Sequence, residues 1–145
     1  RVALESSGAI PVTTIQSAGV RGESPDIDGL ATLAPRELSV MVWNYHDNDL
    51  PGPDAPVKLT IEGLPSAAKR VTVHHYRIDE THSNAWTAWK SMGSPQKPTP
   101  EQYKTLEAAG QLQELNPPSP ISGGKEVTLD LKLPRQGISL LQLSW

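Results

Sequence analysis

Cysteine and phenylalanine are both missing from this 145-residue chain. Without cysteine there can be no disulfide framework and no thiolate zinc centre. Without phenylalanine, any core must be filled by Trp, Tyr, Leu, Val and Ile. No apolar run approaches the roughly 20 residues of a membrane helix, so a membrane partner is not expected and the protein reads as soluble. No signal-peptide pattern opens the chain. A basic excess is lacking too: 13 Lys and Arg stand against 16 Asp and Glu, for a net charge of −3. That balance argues against a nucleic-acid partner. The length is enough for one domain over residues 1–145, but far short of the about 250 residues of a (β/α)8 barrel. The first residue is Arg1, and strand-like alternation begins at once with Val2 and Leu4. This opening reads as a cleavage or engineered boundary.

Pro and Gly are abundant, at 14 and 11 residues, and fall mostly between short apolar runs. This is the punctuation of a β-sandwich rather than of a helix bundle. Strands are expected at residues 1–5, 38–45, 57–62, 71–78, 127–133 and 138–144. In the second, Val40 and Val42 share one face and Met41 and Trp43 the other, as in a strand covered on both sides. Val57, Leu59 and Ile61 alternate against Lys58, Thr60 and Glu62. Val71 and Val73 oppose Tyr76 and Ile78. Val127, Leu129, Leu131 and Leu133 point inward, and Ile138 and Leu140 oppose Leu141 and Leu143. Pro134-Arg-Gln-Gly137 suits a tight hairpin between the last two strands. Short edge strands are expected over residues 12–15 and 27–33, with a loop over 19–25. No internal repeat is present.

The period changes from two to about 3.6 between residues 80 and 113. Ser83 or Asn84 can cap a short helix carrying Trp86, Trp89 and Met92, and Gly93 then supplies a stop before Pro95. Thr99-Pro-Glu-Gln102 is a capping box with Pro at the first helical position. It opens a helix with Tyr103, Leu106 and Ala109 on one face, ending near Gly110. Residues 116–124, rich in Pro, Ser and Gly, read as an extended connector into a strand starting near Glu126.

This insert resembles one particular family. Asp79, the Ser83-Asn84 step and the aromatic after it, Trp89, Met92-Gly-Ser-Pro95 and Pro98-Thr-Pro-Glu-Gln102 are similar to the C-terminal region of glycoside hydrolase family 39 β-xylosidases. More distantly they resemble α-L-iduronidases. Ser39-Val-Met-Val-Trp-Asn-Tyr-His-Asp47 fits the same pattern, and the resemblance weakens over residues 6–34. It implies an immunoglobulin-like or fibronectin-like antiparallel β-sandwich with an inserted helical hairpin at about 80–113. It also implies a non-catalytic accessory domain of a retaining β-xylosidase, packed against and stabilising the (β/α)8 barrel of the same parent polypeptide. Xylo-oligosaccharide would be met through that parent, in the bacterial cytoplasm or periplasm. The alternatives are a carbohydrate-binding module for xylan and a generic immunoglobulin-like interaction domain.

A retaining glycosidase needs two carboxylates flanking the scissile bond. In the family, the acid/base Glu sits in an Asn-Glu-Pro step, and no Glu here precedes Pro. Glu62, Glu101, Glu107 and Glu126 fit solvated faces or helix starts. No catalytic residue is therefore assigned, and no cofactor or metal is expected. Asn44-Tyr-His-Asp-Asn-Asp49 is a candidate cation loop, but it lacks the Gly and distal Glu of an EF-hand. It reads better as a polar turn satisfying local backbone groups. His74 and His75 point to opposite faces of one strand, and His46 and His82 sit in separate loops, so none of them share a metal. Ser83 follows His82 but lies in no nucleophile elbow. Trp86 and Trp89, at i and i+3, share a helix face. They either glue the hairpin to its own sheet or, with Asp79, Glu80, His82, Ser83 and Asn84, form an interdomain contact. A sugar-stacking platform is the weaker third reading, since two Trp within one turn make no flat row.

Overall fold

Alternation of apolar residues is converted here into two antiparallel sheets. The computed structural model describes residues 1–6, 26–47, 50–65 and 68–145. Its strands are β1 (Val2–Ser6), β2 (Ile27–Ala34), β3 (Glu37–Asn44), β4 (Ala55–Glu62) and β5 (Arg70–Ile78). Helices α1 (Ala85–Ser91) and α2 (Pro100–Ala109) follow, and then β6 (Gln113–Ser122), β7 (Glu126–Leu133) and β8 (Gly137–Ser144). One sheet has the order β1-β4-β7 and the other β2-β3-β8-β5-β6. Every pairing is antiparallel. The sheets face each other across one core. Val57, Leu59, Ile61, Val127 and Leu133 come from the smaller sheet, and Leu38, Val40, Val42, Val71, Val73, Leu141 and Leu143 from the larger. The fold is mainly β, a sandwich with a helical hairpin, and the expected strands at the start, at β2 and in the regular runs are all present. The expectations over residues 12–15 and 19–25 lie outside the described residues.

Three expectations are corrected. Pro134 to Gly137 does form a tight turn, with Gly137 N donating to Pro134 O at 3.0 Å. It does not join two strands of one sheet, however. β7 pairs with β4, whereas β8 pairs with β3 and β5, so the turn carries the chain from one sheet to the other. Gly is required at its end, because a Cβ at 137 would stand 2.8 Å from the Pro134 carbonyl. Second, the Pro-rich connector is strand β6. It pairs with β5 through two register shifts and occupies the sheet edge. Pro117, Pro118 and Pro120 are tolerated there because an edge strand can leave N–H positions unused. The hairpin therefore lies between β5 and β6, not between β5 and the strand near Glu126. Third, β3 is covered on one side only. Val40 and Val42 are buried, while Met41 and Trp43 on the other face are half-buried.

The hairpin's local signals act as read. Asn84, not Ser83, is the cap of α1, its Oδ1 accepting from Trp86 N at 3.0 Å and Thr87 N at 3.2 Å. Gly93, at φ 82°, closes the helix, with Ser94 N donating to Trp89 O and Gly93 N to Lys90 O. This paired arrangement satisfies the last carbonyls of a helix. Thr99 and Gln102 form the reciprocal capping box. No residue of either helix is buried.

Candidate functional site

The sequence runs Val71, Val73, His75, Arg77 along the inward face of β5, so a charge enters the core at the sheet's end. Arg77 is only 5% exposed. Its Nε donates to Ser139 Oγ at 3.1 Å on β8, and its Nη2 to Lys132 O at 3.0 Å on β7. The third arm, Nη1, lies 3.5 Å from Asp79 Oδ2. One guanidinium thus ties both sheets to the first residue of the hairpin root, a three-way geometry suited to its planar fork.

Asp79 organises that root. Its Oδ1 accepts from Thr81 N at 2.8 Å, His82 N at 2.9 Å and His82 Nδ1 at 2.9 Å. Its backbone O accepts from Asn84 Nδ2 at 2.8 Å, which aims Asn84 Oδ1 at the helix N-terminus. Burial pushes the Asp79 carboxyl up, but the bonds from His82 and Thr81 outweigh it and hold it below its ordinary value. Ser83, at φ 52°, donates to Arg77 O at 2.7 Å and accepts from Gln113 N at 2.8 Å, closing the loop against the start of β6. The structure thus brings together Asp79, His82, Ser83 and Asn84. Glu80 is exposed and stands apart from them. Arg77 was not singled out from the sequence, although a charge in register with Val71 and Val73 was the signal for it.

Trp86 and Trp89 stack on each other, ring centroids 4.7 Å apart at 27°. Trp89 is half-buried and its Nε1 donates to Pro95 O at 3.0 Å. Trp86 remains 59% exposed, with Lys90 Nζ 5.7 Å from its ring centroid. The pair therefore ties α1 to the turn that follows it and leaves Trp86 largely exposed.

The remaining candidates have local work. Asn44 is 1% exposed; its Nδ2 donates to Leu133 O at 3.1 Å, and its Oδ1 accepts from His46 Nε2 at 2.9 Å. The start of the candidate cation loop is thus a staple between sheets; Asn48 and Asp49 lie outside the described residues. His74 Nδ1 meets Glu114 Oε1 at 2.6 Å on one face of β5, and His75 Nε2 meets Ser139 Oγ at 2.9 Å on the other. Among the described residues no three His, Asp or Glu side chains converge as a metal site. Glu62 stands opposite Glu126 across β4 and β7, but both are exposed and Glu62 faces Arg1 at 3.9 Å. Glu101 and Glu107 are exposed on α2. No helix among the described residues is long and apolar enough to cross a membrane.

Burial, reinforced by the neighbouring Arg77 charge, lowers the His75 pKa from 6.5 to about 4. The neutral ring is the folded form. This stabilisation is therefore complete above about pH 6.5 and is lost as pH falls from there through about 4. After allowance for solvent access to a half-buried ring, the loss expected is ~1–2 kcal/mol. Thermal melts at pH 7, 5.5 and 4 should fall accordingly, and His75→Leu should flatten the profile across that window.

A family model described as "Glycosyl hydrolases family 39" matches residues 22–126. A β-xylosidase of Caldicellulosiruptor saccharolyticus is 29% identical over 111 residues, covering 77% of this chain and 22% of its own length. The crystal structure of a monomeric β-xylosidase from Caulobacter crescentus CB15 superimposes with a TM-score of 0.68 at 18% identity, over 82% of this chain and 26% of that one. A bacterial orthologue of human α-L-iduronidase gives 0.66 at 22% identity, over 81% and 22%. The structural likeness is one of fold. The chain spans about a quarter or less of each of these relatives.

Proposed function

Because the chain belongs to glycosyl hydrolases family 39, we propose that it is the non-catalytic β-sandwich of a longer β-xylosidase-like glycosidase, its helical hairpin resting against the catalytic barrel. The observation that carries this reading is the hairpin itself. It is anchored at its root by Asp79 and Arg77, yet it buries no residue of either helix and holds Trp86 open to solvent. An aromatic held in place and left exposed suits a contact surface. Asp79, His82, Ser83 and Asn84 fix the direction in which the helix leaves the sheet, Trp86 supplies contact area, Trp89 braces it, and Glu80 lies at the rim. The short lengths of the relatives that this chain covers support a larger polypeptide around it. The sugar-platform reading gains nothing from the geometry, since the two indoles cover each other and Lys90 stands near the Trp86 ring.

Two measurements test the proposal. This chain should not hydrolyse a chromogenic aryl xyloside and should not be retarded by xylan in affinity electrophoresis. Turnover that survives repurification and disappears in Glu62→Gln or Glu126→Gln, or clear retardation, would replace the accessory reading. Trp86→Ala should change the melting point of this chain by less than about 2 °C, as an exposed substitution does. The same change should lower the melting point of the full-length polypeptide by several degrees.

A further inference from the structure

Ser139 is fully buried, and among the described residues its hydroxyl has two partners, His75 Nε2 at 2.9 Å and Arg77 Nε at 3.1 Å. Counting hydrogens fixes the direction of both bonds. Arg77 Nε can only donate, so Ser139 Oγ accepts from it. The single hydroxyl hydrogen must then go to His75 Nε2, since a buried polar hydrogen without an acceptor is disfavoured. His75 is therefore held neutral, with its one ring hydrogen on Nδ1.

We propose that this relay is an acid-sensitive latch: protonation of His75 reverses its bond to Ser139, displaces Arg77 and frees the hairpin root from the sheets. The inference concerns this chain alone and does not depend on the accessory reading. A charged imidazole carries a hydrogen on both nitrogens. Its Nε2 would donate to the oxygen that Arg77 already uses, which strands the hydroxyl hydrogen and sets two cations on one buried atom. Arg77 is the link outward. Its Nη1 lies 3.5 Å from Asp79 Oδ2, and its backbone O accepts from Ser83 Oγ at 2.7 Å. Ser83 Oγ in turn accepts from Gln113 N at 2.8 Å, so the loss of Arg77 reaches both ends of the hairpin.

A route for the proton exists. A crevice of about 150 Å³ is lined by Val73, His75, Asn116, Ser119, Asp130 and Leu131, which is room for water beside the ring. The edge strand is weakly held at that point. Its pairing with β5 shifts register on both sides of His75, and Pro117 has no N–H to give. The surrounding charges oppose one another. Arg77 on β5 resists a second positive charge, while Asp130 on β7, exposed at the crevice, favours one. Lys132 on β7 offers Arg77 its carbonyl, and β8 contributes the neutral Ser139. β6 contributes the neutral Asn116 and Ser119, with Glu114 turned to His74 on the other face. Burial and Arg77 prevail, and the ring titrates at about 4. The latch is thus closed at neutral pH and opens as pH falls through that value. Asp79 is held below its ordinary value, so the root's own network outlasts its link to the sheets.

NMR and hydrogen exchange on this chain test the latch. At pH 7, nitrogen-resolved spectra of the His75 ring should place its hydrogen on Nδ1. A hydrogen on Nε2 would overturn the relay without any substitution. Exchange at Gln113 N and Arg77 Nε, corrected for the intrinsic effect of pH, should quicken at least about tenfold between pH 7 and about pH 3, with the β3 amides unchanged. The midpoint should coincide with the titration of the His75 ring. His75→Gln keeps a side-chain acceptor that cannot be protonated, and should abolish the change. If β3 loses protection together with Gln113, acid unfolds the whole domain and there is no latch. If the selective loss persists in His75→Gln, or its midpoint departs from that of the His75 ring, another group carries the acid response and the proposal is overturned.

Discussion

Arg77→Ala should lower the stability of this chain by ~3–5 kcal/mol, the range found when one partner of a buried charge pair is removed. For a domain of this size that is a fall of roughly 10–20 °C in melting temperature. The magnitude follows from what is left behind. Ser139, itself fully buried, loses a donor, the Lys132 carbonyl loses another, and Asp79 keeps its charge with its side chain only 10% exposed. Arg77→Lys should recover little, since one ammonium cannot point along all three directions. Arg77→Met combined with Asp79→Asn should recover much of the loss, because the stem is restored and no unpaired charge stays inside. A double-mutant cycle from urea melts measures the coupling between the two positions. Additive losses within about 0.5 kcal/mol would show that Arg77 supports the sheets but not the hairpin root.

The contrast between Arg77 and the hairpin explains what the sequence could disclose. Caps are local. Asn84, Gly93, Thr99 and Gln102 satisfy groups within a few residues of themselves, so their chemistry is visible in the order of residues alone. Simple alternation is equally local, and the inward sets of β4 and β7 were legible because their other faces are polar. Three features depend on distant partners and were not legible. Pro134 to Gly137 turns tightly whichever sheet the next strand joins. β6 carries Pro117, Pro118 and Pro120, which suggest a connector unless the strand is known to be an edge. The work of Arg77 appears only when Ser139 and Lys132 are brought beside it from 62 and 55 residues away. The candidate site followed the same division. Asp79, Thr81, His82 and Asn84 form one local network, whereas the apolar outer face is assembled from four strands in an order the sequence does not state.

Leu143→Ala should cost ~3–5 kcal/mol, while the neighbouring Leu140→Ala should cost less than ~1 kcal/mol in this chain. The two residues look alike in the run Leu140-Leu-Gln-Leu143, and both faces of this strand were read as apolar. Pairing separates them. Leu143 is fully buried, opposite Leu38 of β3 and Val73 of β5 on the inner face. Removing its three carbons opens a cavity against the smaller sheet, which close packing cannot fill without moving a strand. Leu140 lies opposite Met41 and Tyr76 on the outer face and is half-buried. Shortening it gives up part of an exposed contact and opens no void. Guanidinium melts of both variants check the pair, with unchanged m-values confirming that the folded state is the same. If Leu140→Ala proves as costly as Leu143→Ala, the outer face is already covered within this chain and no partner is needed to explain it. If it proves cheap here and costly in the full-length polypeptide, the difference measures how much of this sheet's second face is buried by the rest of the protein.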